Sequence, residues 1–152
     1  MLNFSSSLSP DSDALVIFVN DKFRYNDKKG VLSKALGQKL KSYISALISK
    51  KLDEDITSFD ISDKKKCFLI KVKNNYKSYT PQEKGGSFFS NLKQYKKINK
   101  IDIYPDSLDF ENKKLISFFS QFIFGFNLKS YTFNKYKTLN KEKINKKIIF
   151  KI

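Results

Sequence analysis

The chain contains no histidine and no tryptophan, one cysteine and one arginine. Without histidine, a Ser-His-Asp triad, a Cys-His dyad and a Cys/His zinc finger are all excluded. A lone Cys67 cannot form an internal disulfide, which fits a reducing, cytoplasmic setting. The five glycines stand at positions 30, 37, 85, 86 and 125. That scatter holds no G-x-G-x-x-G or G-K-[ST] phosphate loop. No apolar run approaches the ~20 residues a membrane span needs, so no membrane partner is expected. The first residues lack the basic-then-apolar order of a secretory leader.

Carboxylates are present, but not in the pattern of a catalytic or metal site. Asp53, Glu54 and Asp55 follow a helix and read as a solvated turn. Asp11 and Asp13 flank a turn before a strand and read as turn formers. Asp102 stands between Ile101 and Ile103, either outward or as a lone buried acid, and one carboxylate makes no two-metal site. Cys67 opens an apolar strand and reads as an inert core thiol. No catalytic, cofactor-binding or metal-ligating residue is assigned.

What is present defines a globular chain. Of 152 residues, 40% are hydrophobic and 15% aromatic, too rich in core-formers for disorder. The length is that of a single domain, residues 1–152. The formal net charge is +15, yet Arg24 is the one arginine among 30 basic residues. Lysine is a hydrated point charge without the planar fork that grips phosphates and guanine edges. The preference for Lys, Asn, Ile and Phe over Ala, Gly, Pro and Arg is the signature of AT-rich codons. Much of the charge therefore reads as solvated surface, with binding to DNA left open.

Hydrophobic periodicity gives the element order β-β-α-β-β-α-β-α-β. Leu2 to Ser5 is a weak first strand, and the continuous run Ala14 to Val19 predicts a central strand buried on both faces. Leu32, Leu36, Leu40, Tyr43, Ile44, Leu47 and Ile48 recur at helical spacing. Gly37 within that helix predicts close packing by a neighbour. Ser58 to Ile61 and Cys67 to Val72 read as strands joined by a hairpin-like connection. Thr80, Pro81 and Glu83 form a helix-start signature with Thr80 as cap, and Phe88, Phe89, Leu92 and Tyr95 as the apolar face. Gly85 and Gly86 would admit a close neighbour. Ile101 to Tyr104 is a strand, and a third helix spans about Leu108 to Leu128. Its Leu115, Phe118, Phe119, Phe122, Ile123 and Phe126 face inward, and Phe124 also reads as core. Ile148 to Ile152 is a last strand, and a chain stopping inside it reads as a piece of a longer protein. Three helices between strands require a mixed, largely parallel sheet of about six strands, covered on both faces.

Tyr131-Thr132-Phe133-Asn134-Lys135-Tyr136-Lys137 follows the third helix, where a polar loop is expected. Alternating aromatics and lysines there could stack on nucleic acid or pin the chain to a neighbouring domain, and the large area that Tyr and Phe bury favours pinning. With Gly125, Leu128, Ser130 and Thr138, this segment resembles the motif Tyr-x-Phe-x-x-Tyr-Lys-[ST] that closes the third helix of the leucyl aminopeptidase N-terminal domain. Asp13 to Val19, Lys34-Ala35-Leu36-Gly37, Thr80-Pro81 and Gly85-Gly86 echo the same family in order. Lys129 departs from it, as does the missing Gly-Leu-Gly end of the strand from Cys67.

The resemblance implies an α/β, macro-domain-like three-layer sandwich forming the first part of a two-domain cytoplasmic hydrolase. The two divalent metals, zinc or manganese, and the catalytic residues would lie in a separate C-terminal domain, so no catalytic residue carries over. The implied role is scaffolding: packing on that aminopeptidase domain, and oligomerisation to a hexamer from two trimers. Tyr131, Phe133, Tyr136 and Lys137 are the candidates for the interdomain junction. The alternatives are DNA binding through Lys-rich faces, with Lys93, Lys96, Lys97 and Lys100 as one patch, and ADP-ribose binding by analogy with macro domains. For ADP-ribose, the stretch from Asn26 to Val31 holds one glycine, few for wrapping a diphosphate.

Overall fold

Ala14 to Val19 carries no polar side chain, and all six residues are fully buried. A strand can be that apolar only if both its faces meet protein. The computed structural model describes residues 2–5, 7–136 and 147–151, with side chains over 7–131. Its elements are β1 (Leu2–Ser5), β2 (Ala14–Val19), α1 (Lys34–Ser49), β3 (Ile56–Ser62), β4 (Lys65–Lys71), α2 (Thr80–Leu92), β5 (Lys100–Tyr104), α3 (Asn112–Tyr136) and β6 (Lys147–Lys151). A 3-10 turn, Pro105–Ser107, joins β5 to α3. The six strands form one sheet in the order β1-β6-β5-β2-β4-β3. Every pairing is parallel except the antiparallel β3–β4 hairpin.

Strand alternation sorts the core into two layers. Ala14, Val16 and Phe18 point to the side covered by α2 and α3, with Phe68, Ile70, Ile101 and Ile103. Leu15, Ile17 and Val19 point to α1, with Cys67, Leu69 and Tyr104. This is the helix–sheet–helix sandwich, and its element order matches the sequence reading. Phe18 meets Phe118, Phe119 and Phe122 edge to face at 5.7, 5.0 and 5.3 Å between centroids. Such geometry aligns ring edges with ring faces and adds to the burial term.

The α2–α3 crossing depends on absent side chains. A Cβ on Gly85 would overlap the carbonyl oxygen of Phe122, and one on Gly125 the carbonyl oxygen of Gln82. Gly86 has only ordinary space around it, and Gly37 meets nothing within 4 Å. The close packing expected at Gly37 is therefore absent; the near approaches belong to Gly85 and Gly125.

Several other expectations are corrected. The N-cap of α2 is Tyr79, without a side-chain cap, and Thr80 is already helical. A turn in which Thr80 N donates to Lys77 O starts the helix one residue early. Ser33 caps α1, accepting from Leu36 N at 3.2 Å. Ile48 and Phe124 are exposed rather than inward. Asp102, which the sequence leaves open between an outward and a buried position, is buried, its Oδ2 accepting from Ser9 N at 2.7 Å and Ser12 Oγ at 3.0 Å. The acidic stretch after α1 is exposed but engaged. Asp53 holds the buried Lys71 ammonium, which also lies over the Phe23 ring at 4.0 Å. That hydrogen bond, then the charge of Lys71, keeps the Asp53 carboxyl below its ordinary range.

At the β3 edge of the sheet, outward carbonyls have local partners. The Tyr43 hydroxyl donates to Ser58 O at 2.9 Å, and Lys39 Nζ donates to Ile61 O at 2.6 Å. Both donors come from α1.

Candidate functional site

Because β2, β4 and β5 are parallel, their carboxyl ends share one rim, the place where open α/β sheets form a crevice. A cleft of about 400 Å³ opens there, lined by Asn20, Arg24, Tyr25, Asn26, Lys28 and Asn74 among others. The loop after β2 is tied down by its own side chains. Asn20 Oδ1 accepts from Lys22 N and Arg24 N, both at 2.9 Å, and Phe23 between them takes φ 57°. Asn26 Oδ1 accepts from Lys28 N at 3.0 Å. Asp27 accepts from Val31 N, Leu32 N and the Tyr104 hydroxyl at 2.8, 3.3 and 2.9 Å. Lys28–Asp109 and Lys29–Asp106 pairs, at 2.9 and 2.6 Å, then tie the loop to the segment after β5.

These bonds act on two phenols, Tyr25 in the cleft lining and Tyr104 in the core below the loop. Burial, the Asp27 hydrogen bond and the charges of Asp27 and Asp106 push the Tyr104 phenol up. Burial, then Asp27, raises Tyr25 as well. Lys22, Arg24, Lys28, Val31 and Leu32 already donate their backbone N–H to loop side chains, and Gly30 is the one glycine of the loop. The cleft can hold a polar ligand through side chains such as Asn20, Arg24, Asn26 and Asn74. Among the described residues no three His, Cys, Asp or Glu side chains come together as metal ligands. Cys67 is buried, and burial pushes its thiol far up.

A second feature is the outward face of α3. Phe118, Phe119, Phe122 and Phe126 point into the core. Ile116, Phe124, Leu128 and Tyr131 are 68%, 55%, 54% and 67% exposed. Steps of eight, four and three residues put them on one stripe. No acidic residue occurs between Asn112 and Tyr136. The segment expected as a loop after this helix is instead its continuation, since α3 runs to Tyr136. With no glycine or proline after Gly125, nothing local stops the helix before that point. Of the junction candidates, Tyr131 lies on the exposed stripe, and Phe133 and Tyr136 are on the last turns of α3. Lys137 lies outside the described residues. Sequence reasoning missed Ile116, Phe124 and Leu128 as surface, although a second helical periodicity at those positions carried the signal.

The lysine candidates divide. Lys93, at the carboxyl end of α2, lies over the Phe89 ring at 5.5 Å. Lys100 begins β5 and is exposed. Lys96 and Lys97 line a groove of about 510 Å³ at the opposite end of the sheet from the cleft. That groove also takes in Lys64, Lys65 and Lys66 of the β3–β4 hairpin, which the sequence reading treated as a plain connection.

No family model and no curated protein sequence matches the chain. Solved structures do. A mutant of tomato leucine aminopeptidase superposes with a TM-score of 0.69 at 14% identity, over 99% of this chain and 32% of that one. The macrodomains of DarG from Mycobacterium tuberculosis and Thermus aquaticus superpose with TM-scores of 0.67 and 0.62, each at 11% identity. Both alignments cover 99% of this chain and 97% of the macrodomain. The protein therefore has the macrodomain-type α/β fold. It spans about a third of the tomato enzyme and nearly the whole of each macrodomain. Among the described residues no helix is long and apolar enough to cross a membrane.

Proposed function

We propose that this chain is the N-terminal assembly domain of a leucyl aminopeptidase-like protein, a two-metal exopeptidase whose catalytic domain is a separate unit. The observation that carries this reading is the exposed apolar stripe of α3, Ile116, Phe124, Leu128 and Tyr131. Large apolar side chains aligned along one surface helix mark a face that another protein surface covers. The fold agreement with the tomato enzyme and the family-like segment on α3 support the same reading. In it, the chain performs no hydrolysis and binds no metal. It fixes the catalytic half, and through it the subunits of a cytoplasmic oligomer.

The test is whether the reading frame continues into a metal-binding peptidase domain and whether that domain, expressed separately, co-purifies with this chain; a stop codon after Ile152 would overturn the proposal. Phe124→Glu with Leu128→Glu is expected to leave the melting temperature unchanged and to abolish the complex. An unchanged complex, or release of amino acids from dipeptide amides by the purified chain with zinc or manganese, would overturn the proposal. The coverage of whole macrodomains supports a second reading, ADP-ribose held in the cleft above β2 and β5. Because several loop amides there are already bonded and the loop has one glycine, calorimetric titration with ADP-ribose is expected to show no heat; a saturable signal lost in Arg24→Gln would favour that reading instead.

A further inference from the structure

The groove at the amino end of the parallel strands has two walls. One is the β3–β4 hairpin with Lys64, Lys65 and Lys66; the other is the α2–β5 connection with Tyr95, Lys96 and Lys97. Asp13, just before β2, locks both walls in place. Its backbone oxygen accepts from Lys66 N at 3.0 Å, and its backbone N–H donates to Lys100 O at 2.9 Å. Its Oδ2 accepts from Asn99 N and Lys100 N, both at 2.8 Å. The positively charged walls therefore face each other across a fixed gap.

Five lysines, Lys64, Lys65, Lys66, Lys96 and Lys97, line the groove against three aspartates, Asp13, Asp60 and Asp63, so cations outnumber anions there. Asp13 is engaged by backbone amides, and Asp60 is paired with Lys66 at 2.5 Å. Asp63 is exposed in the hairpin turn. Lys65 Nζ donates to Ser9 O at 3.0 Å, a neutral acceptor. Lys64, Lys96 and Lys97 are exposed and take part in none of the ion pairs among the described residues. Like charges held near one another are relieved by an anion between them. In the second wall, the Tyr95 ring packs edge to face on Phe68 at 5.4 Å and lies beneath Lys66 at 5.2 Å. That ring is committed to the core and is not offered to a planar base.

We propose that this groove is a binding site for a small oligophosphate, a compact anion with several charges that Lys64, Lys96 and Lys97 contact from opposite walls. A volume of about 510 Å³ falls in the range of small-ligand sites, and although lysines lack the two-pronged grip of arginine, several ammonium groups around one groove can meet phosphate oxygens as point charges. The site is on the far rim from the cleft and independent of the α3 face.

The test is calorimetric titration of the full chain with inorganic triphosphate, against sodium sulfate at matched ionic strength. Saturable binding of triphosphate at least tenfold tighter than of sulfate is expected. The triple variant Lys64→Gln, Lys96→Gln, Lys97→Gln should weaken it about tenfold or more, as three exposed charge contacts are lost. Lys28→Gln in the opposite cleft should leave it unchanged. Equal response to sulfate, or triphosphate affinity in the triple variant within twofold of the parent, would overturn the proposal. So would single-stranded nucleic acid binding more tightly than triphosphate through the same three lysines.

Discussion

Four glycines lie inside helices, and their surroundings rank the outcome of replacing each by alanine. Relative to glycine, alanine in a helix interior favours the folded state by about 1 kcal/mol. Gly37 has nothing within 4 Å of a new methyl, so Gly37→Ala should realise most of that gain and raise Tm by about 2–4 °C. Gly86→Ala meets its nearest atom at 3.7 Å, an ordinary contact, and should also be neutral or stabilising. Gly85→Ala and Gly125→Ala are opposed by backbone carbonyls that cannot rotate away. The helices must separate, loosening Phe88 and Phe89 from Phe126 and Phe88 from Phe122, which now pack at 5.1 to 6.2 Å between centroids. Overpacking costs about 1–3 kcal/mol, and more where backbone must move, so a net loss of about 1–2 kcal/mol and a Tm lowered by about 2–8 °C is expected. Thermal and urea melts of the four variants check the order. If Gly85→Ala melts no lower than Gly37→Ala, the account of the helix crossing is wrong.

Two more outcomes follow from buried groups. The Tyr104 phenol is raised above its ordinary 10.0 by burial and by Asp27, so above pH 10 the unfolded chain releases a proton that the folded chain retains. Stability from this site is intact below pH 10 and falls as pH rises beyond it; Tyr104→Phe should lose about 1 kcal/mol at pH 7 and show a shallower alkaline decline in urea melts. A decline as steep as the parent's would refute the assignment. Cys67, buried with its thiol pushed up, should react with a thiol reagent only as fast as the chain unfolds. Rapid labelling under native conditions would contradict its place in the sheet.

The order of elements was legible because each strand and helix declares its own period. The apolar run Ala14 to Val19 could only be a strand covered on both faces, and the phenylalanines from 118 to 126 could only be a core-facing helix. What failed was whatever depends on a neighbour. Gly37 and Gly85 look alike in sequence, yet only one is crossed by another helix. Phe124 looks like its neighbours, but its position on the helix turns it away from them. The end of α3 was misread because aromatics alternating with lysines suggest a loop, although no glycine or proline interrupts the turn. The groove was half visible: Lys96 and Lys97 stood out as a run, but only the fold brings residues 64 to 66, some thirty positions earlier, to the opposite wall.

The hydroxyl of Tyr43 and the ammonium of Lys39 occupy hydrogen-bonding positions that an incoming strand would need at β3. A strand added at that border would have to displace or share both donors. Oligomers joined there would meet more readily through side chains than main chain, which leaves helix surfaces as the natural meeting ground and makes fibrous stacking from this margin unfavourable.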